Sequence, residues 1–443
     1  MHTPIADFLR HYSESDNVRF HMPGHKGASF LGCERLDITE VKDADFLYEP
    51  TGIIAESEAI ASRLFGTLRT CYSTEGSSQC IRAMLYLAFT QRPREALPLI
   101  VAARNAHKAF LYAAAVIGFD IKWLYPENTD SLCSCNISAK ELEETLKALS
   151  APPAAVYITS VDYLGGTADI ASLAEVCHKY KTVLVVDNAH GAYLHFLEKP
   201  IHPIDLGADI CCDSAHKTFT ALTGGAYLHI GKNAPLGFSE EAKTAMELFG
   251  STSPSYLIMA SLDLCNEYIE NGYREKLSEC IRRIEKAKRS LAENGWSIEK
   301  SDPLRITVRA PQGLTGNEIA QTLREKGIEC EYADRQFTVL MLSPENSESD
   351  INRLIAALGK NSRDISTEIS LPPIEAEKIM SVREAIFAPK ETVLTENALG
   401  RICATPTVSC PPAIPIAVSG ERIDKSVIKL FEYYGINTVD VIR

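Results

Sequence analysis

The sequence lacks several features that define whole classes of protein. No stretch approaches the roughly 20 apolar residues that a membrane helix needs. Residues 1–12 lack a basic segment followed by an apolar run, so we expect no secretory signal. Lysine and arginine number 45 against 58 aspartates and glutamates, which gives a formal net charge of −13. Because no basic stripe is present either, we expect no nucleic-acid partner and no membrane partner.

Cysteine spacings typical of zinc sites or of disulfide frameworks are also missing. The 13 cysteines are scattered and odd in number. The close pairs Cys133/Cys135 and Cys211/Cys212 fit no common zinc pattern. Several cysteines lie inside apolar runs, which is typical of buried free thiols. We therefore expect no bound metal, a reducing compartment and a cytoplasmic location.

The length and the hydrophobic pattern predict an α/β protein with two domains. We expect an N-terminal arm and a large domain over residues 1–290, and a smaller α/β domain over residues 291–443. Up to about residue 240, short apolar runs alternate with amphipathic stretches, as in a mostly parallel sheet covered by helices. Strands are predicted at 99–102, 155–159, 182–186, 210–212, 226–230, 304–308 and 337–342, and helices at 77–90, 139–149, 170–180, 256–293 and 317–326.

Lys217 has a neighbourhood that favours covalent chemistry. It lies in the segment Asp-Ser-Ala-His-Lys-Thr (213–218), directly after an apolar strand pattern and shortly before two glycines. A lysine at a strand end can face a pocket, where its amine can react with an aldehyde. A lysine alone is most often a solvated surface group, so the prediction depends on its partners.

Asp187 is the partner that such a lysine needs. It ends the apolar run 183–186, which has no polar face and reads as a central strand. A carboxylate at the end of a buried strand is costly unless a cation pairs with it. The pyridinium nitrogen of pyridoxal phosphate (PLP) would be such a cation, and PLP sites combine a lysine with an aspartate in this way. A helix N-cap or an ordinary ion pair would also explain Asp187.

Two further segments complete a cofactor site. Gly76, Ser77 and Ser78 precede a helical pattern, where free backbone N–H groups and hydroxyls can hold a phosphate. Ser214 would add another hydroxyl. His107 follows a predicted strand, where its ring can stack on a planar cofactor. All four features are expected at the same rim of the sheet, because sites in open α/β sheets gather at the carboxyl ends of strands.

At this point the chain resembles the PLP-dependent ornithine/lysine/arginine decarboxylases, which have the aspartate-aminotransferase fold (fold type I). The segments Phe-His-Met-Pro-Gly-His-Lys-Gly (20–27) and Ser-Ala-His-Lys-Thr (214–218) are its specific motifs. Supporting segments lie at 37–40, 45–52, 65–66, 249–256, 398–402, 411–415 and 420–421. The likeness covers nearly the whole chain and is to the short form, without an extra N-terminal domain.

The resemblance implies a seven-stranded, mostly parallel sheet and a role for each candidate residue. Lys217 would hold PLP, Asp187 would meet the pyridine nitrogen, and His107 would stack on the ring. The phosphate would be held by residues with free N–H or hydroxyl groups, namely Gly76, Ser77, Ser78 and Ser214. His190 would lie beside the ring and His216 near the reactive lysine. Thr252 would reach the site of a neighbouring subunit, because the family's sites form at a dimer interface.

The activity implied is the decarboxylation of a basic amino acid, arginine, lysine or ornithine, with a link to polyamine metabolism. Lys217, His190 or His216 would return a proton to Cα after CO2 leaves. Glu396 and Glu421 are candidates for binding the distal cation of the substrate. The chain departs from the family pattern at five positions, where Phe46, Asn188, Thr405, Cys410 and Ala413 replace the more usual residues; Asn188 stands where the family commonly has glutamate.

Two alternatives stay open. Another reaction on the same cofactor, by an aminotransferase or a lyase, would use an arginine to clamp the substrate carboxylate, and Arg305, Arg309 and Arg401 are available. The second alternative is a PLP-binding protein that has lost its activity, against which Lys217 and Asp187 argue.

Overall fold

The computed structural model describes residues 2–126, 131–364, 371, 375–408 and 414–443. Part of the predicted connection (Pro372 and Pro373) lies outside the described residues. So do residues 411–413 of the predicted closing motif, together with Cys410.

The main sheet has seven strands in the order β1-β7-β6-β5-β4-β2-β3. Strand β2 runs parallel to β3, and β5 runs parallel to β6, whereas β7 is antiparallel to both of its neighbours. Its strands are β1 (Arg69–Ser73), β2 (Leu97–Ala103), β3 (Asp120–Leu124), β4 (Pro153–Thr159), β5 (Val183–Asp187), β6 (Ile210–Asp213) and β7 (Ala226–Ile230). The five strands predicted in this region are therefore confirmed.

The two strands that sequence patterns missed are the two edge strands of this sheet. Strand β3 alternates between exposed and half-buried residues, and its apolar run is interrupted by Lys122. Strand β1 carries arginine, threonine and serine in only five residues. The central strands β5 and β6 are apolar until their last residue, as burial on both faces demands.

The chain divides into two compact units. Unit 1 comprises Met1–Leu97, Ser150–Tyr157 and Ile170–Glu275. Unit 2 comprises Pro98–Leu149, Ile158–Asp169 and Lys276–Arg443. The expected domain boundary near residue 290 stays a prediction, because compactness alone does not show where an independently folding domain ends.

Unit 1 contains most of the helices that follow or precede the central strands. They are α1 (Pro4–Glu14), α2 (Ile53–Phe65), α3 (Ser77–Thr90), α6 (Ile170–Lys179), α7 (Ala215–Thr218), α8 (Leu236–Leu248) and α9 (Tyr256–Glu270). A short 3-10 helix covers Ala192–Phe196. Helix α3 buries eight of its residues, among them Ile81, Met84 and Leu85, which explains why its apolar pattern was readable from the sequence.

Unit 2 holds the remaining elements of the chain. Helix α10 (Tyr273–Glu293) begins in unit 1 and continues into unit 2. The other helices are α4 (Lys108–Ile117), α5 (Ala139–Lys147), α11 (Gly316–Glu325), α12 (Glu348–Leu358), α13 (Val382–Phe387) and α14 (Lys425–Tyr434). A four-stranded antiparallel sheet has the order β10-β11-β9-β8, from β8 (Ser297–Ile298), β9 (Arg305–Arg309), β10 (Tyr332–Ala333) and β11 (Phe337–Met341). Two small sheets pair β12 (Lys390–Leu394) with β15 (Thr438–Ile442), and β13 (Thr407–Val408) with β14 (Pro415–Ala417).

Local capping explains several of these boundaries. Ser138, Thr315, Ser347 and Ser381 each form a capping box with an acidic residue three positions later. None of the helices in the described part of the chain combines the length and the apolarity that crossing a bilayer requires.

Candidate active site in unit 1

Lys217 lies on the short helix α7, directly after strand β6. Its backbone N–H donates to the Ser214 carbonyl, and its side chain is half-buried. The Lys217 Nζ lies 2.9 Å from His190 Nε2. The two residues are brought together although a segment of 26 residues separates them in the chain. The expected role of His190 beside the cofactor ring stays a prediction.

Asp187 is the last residue of β5 and is only 3% exposed. Its Oδ2 accepts a hydrogen bond of 2.9 Å from the Tyr157 hydroxyl. Its Oδ1 accepts one from the Ala189 N–H at 3.2 Å and a weak one from the Cys212 thiol at 3.7 Å. All of these donors are neutral, so the carboxylate keeps its negative charge available for a cationic partner.

Ser214 and the start of helix α3 provide the groups that a phosphate requires. The Ser214 side chain is 1% exposed, and within the described residues its Oγ has no hydrogen-bond partner. Helix α3 begins after Gly76, whose φ of 71° is a left-handed conformation that favours glycine. Ser77 and Ser78 form the first turn, where no side chain caps the free N–H groups. This helix start can therefore receive an anion.

The pair Gly224-Gly225 joins the helix start to the lysine segment. Gly76 donates its N–H to the Gly224 carbonyl at 2.7 Å, and His216 donates its N–H to the Gly225 carbonyl at 3.2 Å. Gly224 has a φ of +97°, and a Cβ at this position would lie 2.9 Å from the Thr74 carbonyl oxygen. Glycine is therefore required at 224 by both conformation and space.

His216 is half-buried, and its ring is held by the same turn. Its Nδ1 lies 2.9 Å from the Gly225 carbonyl, so Nδ1 carries the hydrogen and Nε2 is left as a proton acceptor. Burial lowers the pKa of His216, and the neighbouring Lys217 lowers it further, against the opposing effect of the Gly225 hydrogen bond. The lowered pKa favours the neutral form of His216.

For two predicted site residues, the contacts described within unit 1 include none with Lys217, Asp187 or Ser214. Thr252 is exposed on the segment that follows helix α8. His107 belongs to unit 2, where it caps helix α4 by accepting a hydrogen bond of 3.1 Å from the Ala109 N–H. The roles expected for Thr252 and His107 stay predictions.

Sequence reasoning missed several residues that contact the candidate site. Tyr157 lies on β4, two residues before the strand ends, and no local pattern marked it. Asp213 ends β6 as Asp187 ends β5, and that repeated strand-end carboxylate was a readable signal. Asp213 is bonded to His202 and His229 at 3.0 and 3.1 Å. Despite complete burial, the two histidines hold the pKa of Asp213 well below its usual value.

The residues gathered here fit pyridoxal phosphate. Ser214 offers a buried hydroxyl without a partner, helix α3 offers its N-terminal amides, and Asp187 offers a buried carboxylate. The Lys217 amine lies beside a histidine that can exchange a proton with it. A reactive lysine, a strand-end aspartate and an anion site are the features that sites for pyridoxal phosphate combine.

Comparison with known proteins agrees with this class. Residues 3–311 match the family described as "Orn/Lys/Arg decarboxylase, major domain". The chain is 30% identical to the uncharacterized protein YaaO of Bacillus subtilis, over 99% of this chain and 95% of that protein. It is 29% identical to the arginine decarboxylase of the same organism, over 96% of this chain and 92% of that protein. The crystal structure of the Francisella novicida lysine decarboxylase LdcF has a TM-score of 0.82 at 18% identity, covering 100% of this chain and 81% of that one.

The chain belongs to the Orn/Lys/Arg decarboxylase family. This membership confirms the resemblance read from the motifs at 20–27 and 214–218, and it confirms the expectation of an amino-acid decarboxylase. The expected fold, an α/β protein with a mostly parallel seven-stranded sheet, is also confirmed.

Proposed function

We propose that the protein decarboxylates a basic amino acid, arginine, lysine or ornithine, with pyridoxal phosphate bound at Lys217. One observation carries the proposal: the Lys217 amine lies 2.9 Å from His190, while Asp187 ends the strand next to the one that leads to this lysine. This arrangement would provide an amine for covalent attachment of the cofactor and a carboxylate for its pyridine nitrogen.

When bound, pyridoxal phosphate would supply an acceptor for the electron pair that remains on Cα when CO2 leaves. Asp187 supports this by holding the proton on the pyridine nitrogen, since its neutral donors Tyr157 and Ala189 orient the carboxylate without cancelling its charge. Ser214, Gly76, Ser77 and Ser78 bind the phosphate through hydroxyl and N–H groups. The helix dipole of α3 favours the same anion.

Proton handling falls to the group around the Lys217 amine. His190 Nε2 is within hydrogen-bond reach of Nζ and can pass a proton to or from it. The Gly225 carbonyl occupies His216 Nδ1 and leaves Nε2 available as an acceptor, and the lowered pKa of His216 favours its neutral form, so we assign it the role of a base. We assign the return of the proton to Cα to Lys217, with His190 as its partner.

The substrate class follows from family membership and from the names of relatives that act on arginine or lysine. Of the two acidic candidates for the distal cation, Glu396 is exposed on the 3-10 helix Thr395–Asn397. Glu421 is buried, and its carboxylate faces Arg104 at 3.6 Å and accepts the Val418 N–H. Glu421 already has a cationic partner within unit 2, which argues against it as the substrate-binding acid. A homodimer with shared active sites and a cytoplasmic location remain part of the proposal.

The aminotransferase alternative needs an arginine that is ready to bind a carboxylate. Within unit 2, Arg305 pairs with Asp302 at 2.5 Å, Arg309 with Glu299 at 2.6 Å and Arg401 with Glu391 at 2.6 Å. Each of the three therefore has an acidic partner already. This favours the decarboxylase over the aminotransferase.

The covalent attachment is tested with protein saturated with pyridoxal phosphate. We expect visible absorbance from the lysine-bound cofactor, and reduction by borohydride followed by peptide mass analysis should tag Lys217. Lys217→Arg keeps the charge but cannot form the covalent link, so it should lose the absorbance. Lys243, which is buried against Glu58, is the internal control and should carry no tag.

The reaction is tested by incubating the loaded protein separately with arginine, lysine and ornithine. We expect CO2 and the corresponding amine from one or more of them, and no keto acid. Keto-acid formation without CO2 would support the aminotransferase. A tagged Lys217 without turnover of any of the three would support the inactive PLP-binding alternative.

A further inference from the structure

A fully buried hydrogen-bond network lies at the carboxyl ends of β5 and β6. Asp213 Oδ2 accepts hydrogen bonds from His202 Nε2 at 3.0 Å and from His229 Nε2 at 3.1 Å. Asp213 Oδ1 accepts a hydrogen bond of 2.6 Å from Asn188 Nδ2. Each of the four side chains is 0% exposed. We call these four residues the Asp213 network.

The outer ring nitrogens show how the two histidines are protonated. His202 Nδ1 accepts the Ile204 N–H at 3.4 Å, so its hydrogen is on Nε2. His229 Nδ1 lies 2.9 Å from the Thr70 hydroxyl, which can donate to it. Both Nε2 atoms can therefore donate to the Asp213 carboxylate. A histidine that binds a metal through Nε2 needs a free lone pair on that atom, whereas here Nε2 carries a hydrogen. The geometry is therefore that of a carboxylate hydrogen-bonded to two histidines, and not that of a metal site.

The network joins the two chain segments that carry the proposed cofactor ligands. Asn188 follows Asp187 directly, and Asp213 precedes Ser214 directly. The ladder of β5 and β6 ends with Asp187 opposite Cys212. The bond from Asn188 to Asp213 is therefore a side-chain link one residue beyond the end of the ladder.

The same link also contacts the segment that bears His190. Asn188 Oδ1 is buried and has no hydrogen-bond partner among the described residues, and it points at Gly191. A Cβ built at Gly191 would overlap Asn188 Oδ1, so only glycine fits against this amide. The residue before this glycine, His190, contacts the Lys217 amine. The orientation of Asn188 thus fixes how closely the His190 segment can approach.

We propose that Asn188 and Asp213 are positioning residues for the cofactor. Their mutual hydrogen bond acts together with two backbone bonds, from the Asn188 N–H to the Cys212 carbonyl at 3.0 Å and from the Ser214 N–H to the Ala189 carbonyl at 3.3 Å, to hold Asp187 and Ser214 at a set spacing. The inference rests on the proposed function, because Asp187 and Ser214 are the proposed ligands of opposite ends of one rigid cofactor. A rigid ligand of fixed length binds best when the spacing of its partners is set before it arrives. His202 and His229 supply this rigidity, since they hold the Asp213 carboxylate in one orientation.

The test compares Asn188→Ala with Asp209→Ala, a matched control on the same two strands. Asp209 directly precedes β6, and it links the amino ends of the strands by accepting the Leu184 N–H at 2.7 Å. Both variants remove a buried side-chain link between β5 and β6, and both should lower the thermal midpoint of the cofactor-free protein. Asn188→Ala should weaken binding of pyridoxal phosphate about tenfold and shift the absorbance maximum of the bound cofactor. Asp209→Ala should change neither quantity.

A second pair of variants tests whether the hydrogen bond itself matters, or only which residue donates it and which accepts it. Asn188→Asp places two carboxylates in contact and should lose most cofactor binding. The double variant Asn188→Asp with Asp213→Asn restores one donor and one acceptor with their places exchanged. We expect it to recover cofactor affinity to within about tenfold of wild type.

The outcomes separate this inference from the proposed function. If wild-type protein fails to bind pyridoxal phosphate at Lys217, the proposed function fails. If wild type binds it but Asn188→Ala and Asp209→Ala affect the cofactor equally, or the double variant shows no recovery, the positioning role is overturned. One equivalent of zinc in purified wild type by elemental analysis, lost in His202→Gln, would also overturn it, because it would replace the bonded carboxylate with a metal site.

Discussion

The two ends of the β5–β6 pair are built from the same residue types and have different properties. At the amino ends, Asp209 accepts the Leu184 N–H and a hydrogen bond of 3.1 Å from His178, whose side chain is 43% exposed. At the carboxyl ends, Asp213 is bonded to two histidines that are both fully buried. Burial raises the pKa of Asp209, whereas the pair of histidines lowers the pKa of Asp213.

The difference between the two pKa shifts shows where the fold stabilises a buried negative charge. One partly solvated histidine is too weak a partner to offset the desolvation of Asp209, so its carboxylate is stabilised less than an exposed one. Two enclosed donors together with an amide do offset the desolvation of Asp213. The charged groups that the proposed chemistry needs, Asp187 and Lys217, lie at the end where the carboxylates are best supported.

The largest expected difference between the two ends is in catalysis. Asp187→Ala should leave pyridoxal phosphate bound but reduce turnover at least about a hundredfold, because without the carboxylate the pyridine nitrogen would not keep its proton and would accept electrons from Cα less well. Asp209→Ala should leave turnover within about twofold of wild type. Steady-state measurement of CO2 release checks both, and equal losses in the two variants would contradict the distinction between the ends.

The next difference is in stability. Asp213→Ala leaves two buried imidazole N–H groups and a buried amide without an acceptor, so we expect the free energy of unfolding to fall by about 3 kcal/mol. Asp209→Ala removes the acceptor of one backbone N–H and of a partly exposed histidine, and about 1.5 kcal/mol is expected. Urea denaturation of the cofactor-free proteins measures the two values. A larger loss at Asp209 would reverse the comparison.

A smaller effect is expected in the acid sensitivity of the carboxyl end. Burial lowers the pKa of His229 in the folded protein, in spite of Asp213 beside it. Below about pH 6.5 the unfolded chain therefore binds a proton that the folded chain does not, and stability falls as pH falls toward the lowered folded pKa. The slope is at most about 1.4 kcal/mol per pH unit.

His229→Gln keeps a donor toward Asp213 but cannot titrate, so it should flatten the loss of stability between pH 7 and pH 5. Thermal midpoints at the two pH values, with His178→Gln as the control at the amino end, provide the measurement. An unchanged slope in His229→Gln would show that other groups cause the acid sensitivity.

The smallest effect concerns Tyr157, which donates to Asp187. Tyr157→Phe removes one hydrogen bond worth about 1 kcal/mol, and we expect turnover to fall about fivefold with the cofactor still bound. The absorbance of the bound cofactor, recorded together with turnover, shows whether the loss arises at the pyridine nitrogen. A loss as large as that of Asp187→Ala would mean that the hydroxyl does more than orient the carboxylate.

The departure at Asn188 from the more usual glutamate has a physical reason in the structure. Asn188 Nδ2 lies 2.6 Å from an oxygen of Asp213, which is already ionised and bonded to two histidines. A second carboxylate at this distance would be repelled, whereas an amide donates a hydrogen bond. Asparagine at position 188 therefore suits an aspartate at position 213 better than glutamate would.

Much of the fold could be predicted because its central strands are almost wholly apolar. Strands β5 and β6 have no polar residue before their final aspartate, and helix α3 has a clear buried face. Strand β3 was missed because an edge strand does not need to be apolar on both faces. Strand β1 was missed because its buried residues include Thr70 and Ser73, whose hydroxyls are hydrogen-bonded to other side chains. Tyr157 was missed because its hydroxyl contacts Asp187 only when β4 and β5 lie side by side in the sheet, and the sequence of either strand alone does not show this.

The sequence by itself determined the class of chemistry. A lysine directly after one apolar strand and an aspartate at the end of another can each be recognised from a few consecutive residues. Only the tertiary structure decided which groups meet: His190 with Lys217, Tyr157 with Asp187, and Asn188 with two histidines through Asp213. The physical reason is that strand patterns report burial, which is a property of each residue. Hydrogen bonds between strands depend on sheet order and register, which no single segment contains.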